Sequence, residues 1–116
     1  MSETTARAAA ASTGVMLPRD LAASSVLEYA ARAEELGFDE LWAVEDLGFR
    51  GGVAQAAAVL ASTRTIRVGI GILPAGARNA AFAAMEVATL AQLFPGRSTS
   101  GSGTACPAGC APSAPR

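Results

Sequence analysis

The 116 residues suffice for one small domain, and a net charge of −1 gives no field strong enough to recruit nucleic acid or an anionic membrane surface. There is no His, so the commonest general acid/base and metal ligand is missing, and all nine basic residues are Arg. The two cysteines, Cys106 and Cys110, are spaced C-x-x-x-C without His or further Cys, a poor metal site.

In chain order, residues 1–13 read as a flexible leader. Its Ala run lacks long-chain apolar residues and an acid precedes its only Arg, so it makes a poor signal peptide. No apolar run reaches the length of a membrane span, and a cytoplasmic location is expected. GVMLP, Gly14 to Pro18, reads as a first strand. A helix is predicted from Ser25 to Leu36, with Val26, Tyr29, Ala30, Ala33 and Leu36 in one stripe, a Ser24 or Ser25 cap and a left-handed stop at Gly37.

Leu41 to Val44 is continuously apolar, as a strand covered on both faces would be, and it ends in Glu45 and Asp46. A Gly-rich loop leads to a second helix, Val53 to Ser62, with Val53, Ala56, Ala57 and Leu60 on one face. IRVGIGIL, Ile66 to Leu73, reads as a third strand. Strict alternation puts Ile66, Val68, Ile70 and Ile72 on one face, and Arg67, Gly69, Gly71 and Leu73 on the other. After a loop to Asn79, a third helix from Ala80 to Leu93 carries Phe82, Met85 and Leu93 on one flank. The order β-α-β-α-β-α predicts a parallel α/β sheet, as in a Rossmann domain or the start of a (β/α)8 TIM barrel. GIGILP is a poor dinucleotide fingerprint, because Pro stands where a third Gly is needed and the glycines lie inside the strand.

Three places could carry chemistry. Glu45 and Asp46 either close a strand as a solvated pair or aim polar groups into a cofactor mouth. Gly69 and Gly71 mark either loose packing or the close approach of a flat ring to the strand. Arg78 and Asn79 could hold an anionic substituent, although Asn79 is a good N-cap and the capping role is the stronger expectation.

EELGFDELWAVED, IRVGIGILPAGARN and MEVATLAQLFPGR together resemble the opening of the luciferase-like monooxygenase superfamily. The closest similarity is to its branch of flavin- and deazaflavin-dependent oxidoreductases resembling methylenetetrahydromethanopterin reductase. The resemblance covers Gly14 to Arg97 and implies part of a (β/α)8 barrel that binds FMN or a deazaflavin coenzyme (F420) at its C-terminal mouth. It places Glu45 and Asp46 beside the ring. Gly71 and Ile72 fall where deazaflavin members have a bulge with a non-prolyl cis peptide backing the ring. No catalytic residue can be carried over. A small-molecule substrate is implied for a full-length parent, with no nucleic-acid or membrane partner. The alternative is a non-enzymatic α/β module that self-associates through its open sheet.

After Arg97 there is no Val, Ile, Leu, Met, Phe, Tyr or Trp. The family continues with a fourth strand and a Gly/His-rich turn, whereas this chain reads STSGSG. One nucleotide lost just after the Arg97 codon would explain the break, since the earlier frame then permits both features. The expected division is therefore a leader (1–13), the opening of a barrel (14–97) and an out-of-frame tail without regular structure (98–116). Such a fragment is expected to be inactive alone. Restoring one base after the Arg97 codon is expected to open a frame of ~200 further residues, the balance of a typical barrel. A stop within a few dozen codons of the restored base would refute this.

Overall fold

The computed structural model describes residues 11–103, the last three by their backbone course only. Strand β1 (Gly14–Met16) leads through a single 3-10 turn to helix α1 (Val26–Glu35). Then follow β2 (Glu40–Ala43), α2 (Gly52–Ser62), β3 (Arg67–Pro74), α3 (Ala80–Leu93) and β4 (Ser98–Gly103). The four strands form one sheet in the order β1-β2-β3-β4, each pair parallel. Every crossover moves to the next neighbour in the same direction. With right-handed connections this sets all the helices on one face, as in a barrel and unlike a doubly wound sheet, whose order reverses. The sheet is the opening portion of a TIM-barrel-like fold.

The core lies between the sheet and the helices. Leu41, Val68 and Ile70 point into it from the strands and meet Ala30, Ala33, Ala56, Val59 and Leu60 from α1 and α2. Alanine on these helix faces lets them approach the sheet and one another closely, so a small core packs densely without large side chains. Gly37 stops α1 with φ 86°. Ser25 occupies the N-cap position but its side chain makes no capping bond, because the 3-10 turn before it already satisfies the entry. Leu36, expected on the buried stripe, is exposed, since the helix ends one residue before it. No helix among the described residues is long and apolar enough to cross a membrane.

The leader's last residues are tied down. Thr13 donates its N–H to Asp39 Oδ2 at 2.8 Å, and its carbonyl accepts from Asp39 N at 2.9 Å. The rest of the leader described as flexible, residues 1–10, lies outside the described residues, as do Cys106 and Cys110.

Two expectations are corrected in β3 and its neighbour. Alternation fails at the end of β3: Ile70 aligns with Ser100 and Leu73 with Ser102, so β3 carries one extra residue there. This bulge leaves Leu73 buried and turns Ile72 outward, the reverse of strict alternation. It is not built on a cis bond, because every peptide bond among the described residues is trans. Instead the backbone turns at Ile72, which has φ 143°, an unusual value for a β-branched residue. The second correction is β4. Ser98 to Gly103 lack apolar side chains, yet their backbone pairs along the open edge of β3. Ladder hydrogen bonds come from the main chain, so a Ser/Gly segment without Pro can complete them once a neighbouring strand is fixed. The remainder of the expected tail, 104–116, lies outside the described residues.

On α3, Leu90 is buried, while Phe82, Met85 and Leu93 are exposed along one flank. The sheet face opposite the helices is open. It carries Glu40, Trp42, Arg67 and Gly69, with Arg67 Nη2 2.6 Å from Glu40 Oε1.

Candidate functional site

The C-terminal ends of the strands bring Glu45 and Arg78 together. Glu45 lies two residues past the end of β2, and its side chain is only 10% exposed. Its Oε2 accepts the Gly52 N–H at 2.7 Å, at the start of α2, where the helix dipole favours an anion. Gly52 eases this approach: a Cβ there would stand 3.1 Å from both Glu45 Cβ and Ile70 Cγ2, a tight contact. Arg78, in the loop after β3, donates from Nη2 to Glu45 Oε2 at 2.8 Å. Glu45 Oε1 lies 2.8 Å from the same nitrogen without hydrogen-bond alignment, and it is buried with no hydrogen-bond partner among the described residues.

Burial works to raise the Glu45 pKa. The bonds from Arg78 and from the Gly52 N–H, with the Arg78 charge, outweigh it and hold the carboxyl below its ordinary value. The hydrogen bond to Glu45 raises the Arg78 pKa in turn. A second carboxylate, Glu86 on α3, stands 3.6 Å from Arg78 Nε. The site thus holds an ionised, desolvated carboxylate in fixed orientation.

Asp46 is brought to the same end of the sheet but turned to another partner, forming an ion pair with Arg19. Its carbonyl accepts from Phe49 N at 3.0 Å, and the Arg19 guanidinium sits 4.6 Å over the Phe49 ring. Asn79 caps α3, its Oδ1 accepting from Ala81 N at 2.8 Å, as expected. Arg78 does not cap α3; Glu45 engages its Nη2, while Nη1 is buried with no hydrogen-bond partner among the described residues.

The two glycines of β3 separate cleanly. A Cβ on Gly69 would stand 2.4 Å from Trp42 Cε3, so that missing side chain is filled by the protein's own indole. A Cβ on Gly71 would meet nothing closer than the Ala43 carbonyl at 3.5 Å and Val44 Cγ1 at 3.7 Å. The bulge turns Gly71 and Ile72 together toward the open side, and Ile72 is 45% exposed. Met16, Leu47 and Phe49, from the ends of β1 and the loop after β2, are also exposed there.

Sequence reasoning missed Arg78 as the partner of Glu45, since nothing in their spacing signals contact across 33 positions. It also missed Gln55, a buried residue of α2 that ties the β2–α2 loop through the carbonyls of Val44, Arg50 and Gly51. A polar residue on an Ala-rich helix face was the available clue.

The chain is similar in structure to the coenzyme F420-dependent tetrahydromethanopterin reductase from Methanopyrus kandleri, with TM-score 0.71 and 24% identity over 78% of this chain. It is also similar to apo-MsnO8, with TM-score 0.73 and 23% identity over 87% of this chain. It spans only 26% and 34% of those two chains. The sequence pattern of the luciferase-like monooxygenases matches residues 4–108, nearly the whole chain and beyond Arg97. The chain therefore belongs to the luciferase-like monooxygenase family.

Proposed function

We propose that residues 14–97 form one wall of a flavin or deazaflavin site in an oxidoreductase, with Gly71 and Ile72 backing the ring and Glu45 at its edge. The observation that carries this reading is Gly71. Among the described residues a Cβ at Gly71 would meet only the Ala43 carbonyl at 3.5 Å and Val44 Cγ1 at 3.7 Å, so its missing side chain leaves room for a ligand beside the bulge. The family supports FMN or F420 as the occupant, because the reductase it resembles in fold is named for coenzyme F420. When bound, such a coenzyme supplies hydride transfer or activates oxygen. The residues here bind and orient it. Glu45, held ionised by Arg78 and the α2 N-terminus, can accept a hydrogen bond from a ring N–H. Asp46, tied to Arg19, fixes the loop beside it. The substrate is a small molecule.

Enclosure typically buries 70–90% of a small ligand, and a sheet with one open face provides far less. The 116-residue chain alone is therefore expected to bind FMN no tighter than about millimolar, near −4 kcal/mol, and to turn nothing over. Replacing Gly71 with Val should weaken FMN about tenfold by filling the space, roughly 1.4 kcal/mol. Amide chemical shifts in an FMN titration measure both values. Unchanged affinity in the Val variant would sink the ring-wall reading.

The exposed flank of Phe82, Met85 and Leu93 favours a second reading, a non-enzymatic module that self-associates. A discrete oligomer in size-exclusion chromatography that ignores FMN would support it.

A further inference from the structure

We propose that Trp42 is the floor of the ring seat and sets how deeply a planar ligand enters; this rests on the ring-wall reading above. The open face of the sheet carries glycine at Gly14, Gly69 and Gly71. Trp42 accounts for the first two. A Cβ on Gly14 would stand 3.2 Å from Cδ1 of the indole, and one on Gly69 would stand 2.4 Å from Cε3. The five-membered ring therefore lies over β1 and the six-membered ring over β3, so the indole spans the sheet across the backbone.

Its orientation is fixed from below. The indole Nε1–H donates to Glu40 Oε2 at 3.0 Å, and Arg67 Nη2 lies 2.6 Å from Glu40 Oε1. Trp42 aligns with Gly69 in the β2–β3 register. The next place on that face of β3 is Gly71, about 7 Å further along the strand. Below Gly71 the sheet is filled by the indole, whereas at Gly71 a Cβ would meet only ordinary contacts among the described residues. A fused tricyclic ring longer than that spacing, laid against Gly71, meets the upper edge of Trp42 before it can slide deeper. Nothing in the Glu45 and Arg78 pairing provides such a stop.

The experiment uses the 116-residue chain with FMN as the probe, following the Gly71 amide and the single Trp indole Nε1–H by NMR. Both signals are expected to move along one saturation curve. Trp42→Phe, shorter but still aromatic, should weaken FMN about three- to tenfold, the range of one lost aromatic contact. Gly69→Ala, which must push the indole off β3, should weaken it as well while leaving the chain folded. A Gly71 amide that responds to FMN beside an unmoved indole signal would remove Trp42 from the seat and leave the ring-wall reading intact. Unchanged affinity in Trp42→Phe would do the same. If neither signal moves as FMN is raised to its solubility limit, the ring-wall reading fails and this inference fails with it.

Discussion

Replacing Arg97 with Ala is expected to destabilise the fold by about 3 kcal/mol, because several partly buried acceptors lose their donor together. Its guanidinium donates to the carbonyls of Leu60 at 3.3 Å, Thr63 at 3.2 Å and Ile66 at 3.0 Å, and to Thr63 Oγ1 at 2.8 Å. Two of these carbonyls belong to the end of α2, where a cation also complements the helix dipole. The same residue hands the chain to β4, its own carbonyl accepting from Val68 N at 2.7 Å. One side chain thus joins the α2 end, the start of β3 and the start of β4. Lys should recover less than half of the loss, since a single ammonium cannot present a planar fork to several acceptors. Urea unfolding of the wild type and both variants measures this, and a loss below about 1 kcal/mol for the Ala variant would contradict it.

Glu34 gives the second large effect, as a dependence on pH. Its Oε2 accepts the backbone N–H groups of Arg64, Thr65 and Ile66 at 2.9, 2.8 and 3.0 Å, and the Thr65 hydroxyl at 3.3 Å. Burial opposes ionisation here, but these bonds outweigh it and lower the pKa from 4.5 to about 2. A carboxyl with a depressed folded-state pKa stabilises fully above its unfolded value. That stability is lost as pH falls from about 4.5 toward about 2. Because the carboxylate is partly solvated, screening reduces its contribution to about 1.5 kcal/mol. Glu34→Gln should lose about that much at pH 7 and almost nothing more than the wild type at pH 2. The difference between the two proteins isolates Glu34 from the other carboxylates. Parallel stability curves from pH 7 to pH 2 would rule this out.

How much of this was legible in the sequence depended on what each residue's role rests on. The helix stripes and the apolar run of β2 were legible, because period and burial follow directly from local sequence. The Asn79 cap and the Gly37 stop were legible for the same reason. The bulge at Gly71 and Ile72 was expected from the family resemblance alone, and it lacks the cis bond expected with it; periodicity could not show it, since an extra residue in β3 exists only relative to its pairing with β4. β4 itself was invisible: Ser and Gly have low strand propensity, and the pairing is dictated by the neighbouring edge. At the site, Glu45 was legible as a polar residue ending a strand. Its pairing with Arg78 was not, because it is made by two β/α units folding side by side. Gly69 and Gly71 looked alike in sequence, and only the position of the Trp42 indole told them apart.

The make-up of β4 has an evolutionary consequence. Its ladder to β3 is drawn from the main chain, and Ser98 to Gly103 contribute no large apolar side chain to it. Selection on such a segment acts mainly against Pro, which would remove a donor, and only weakly on the identity of each side chain. The stretch after Arg97 is thus a place where substitutions other than Pro leave the strand order, and with it the positions of Glu45, Arg78 and Gly71, undisturbed.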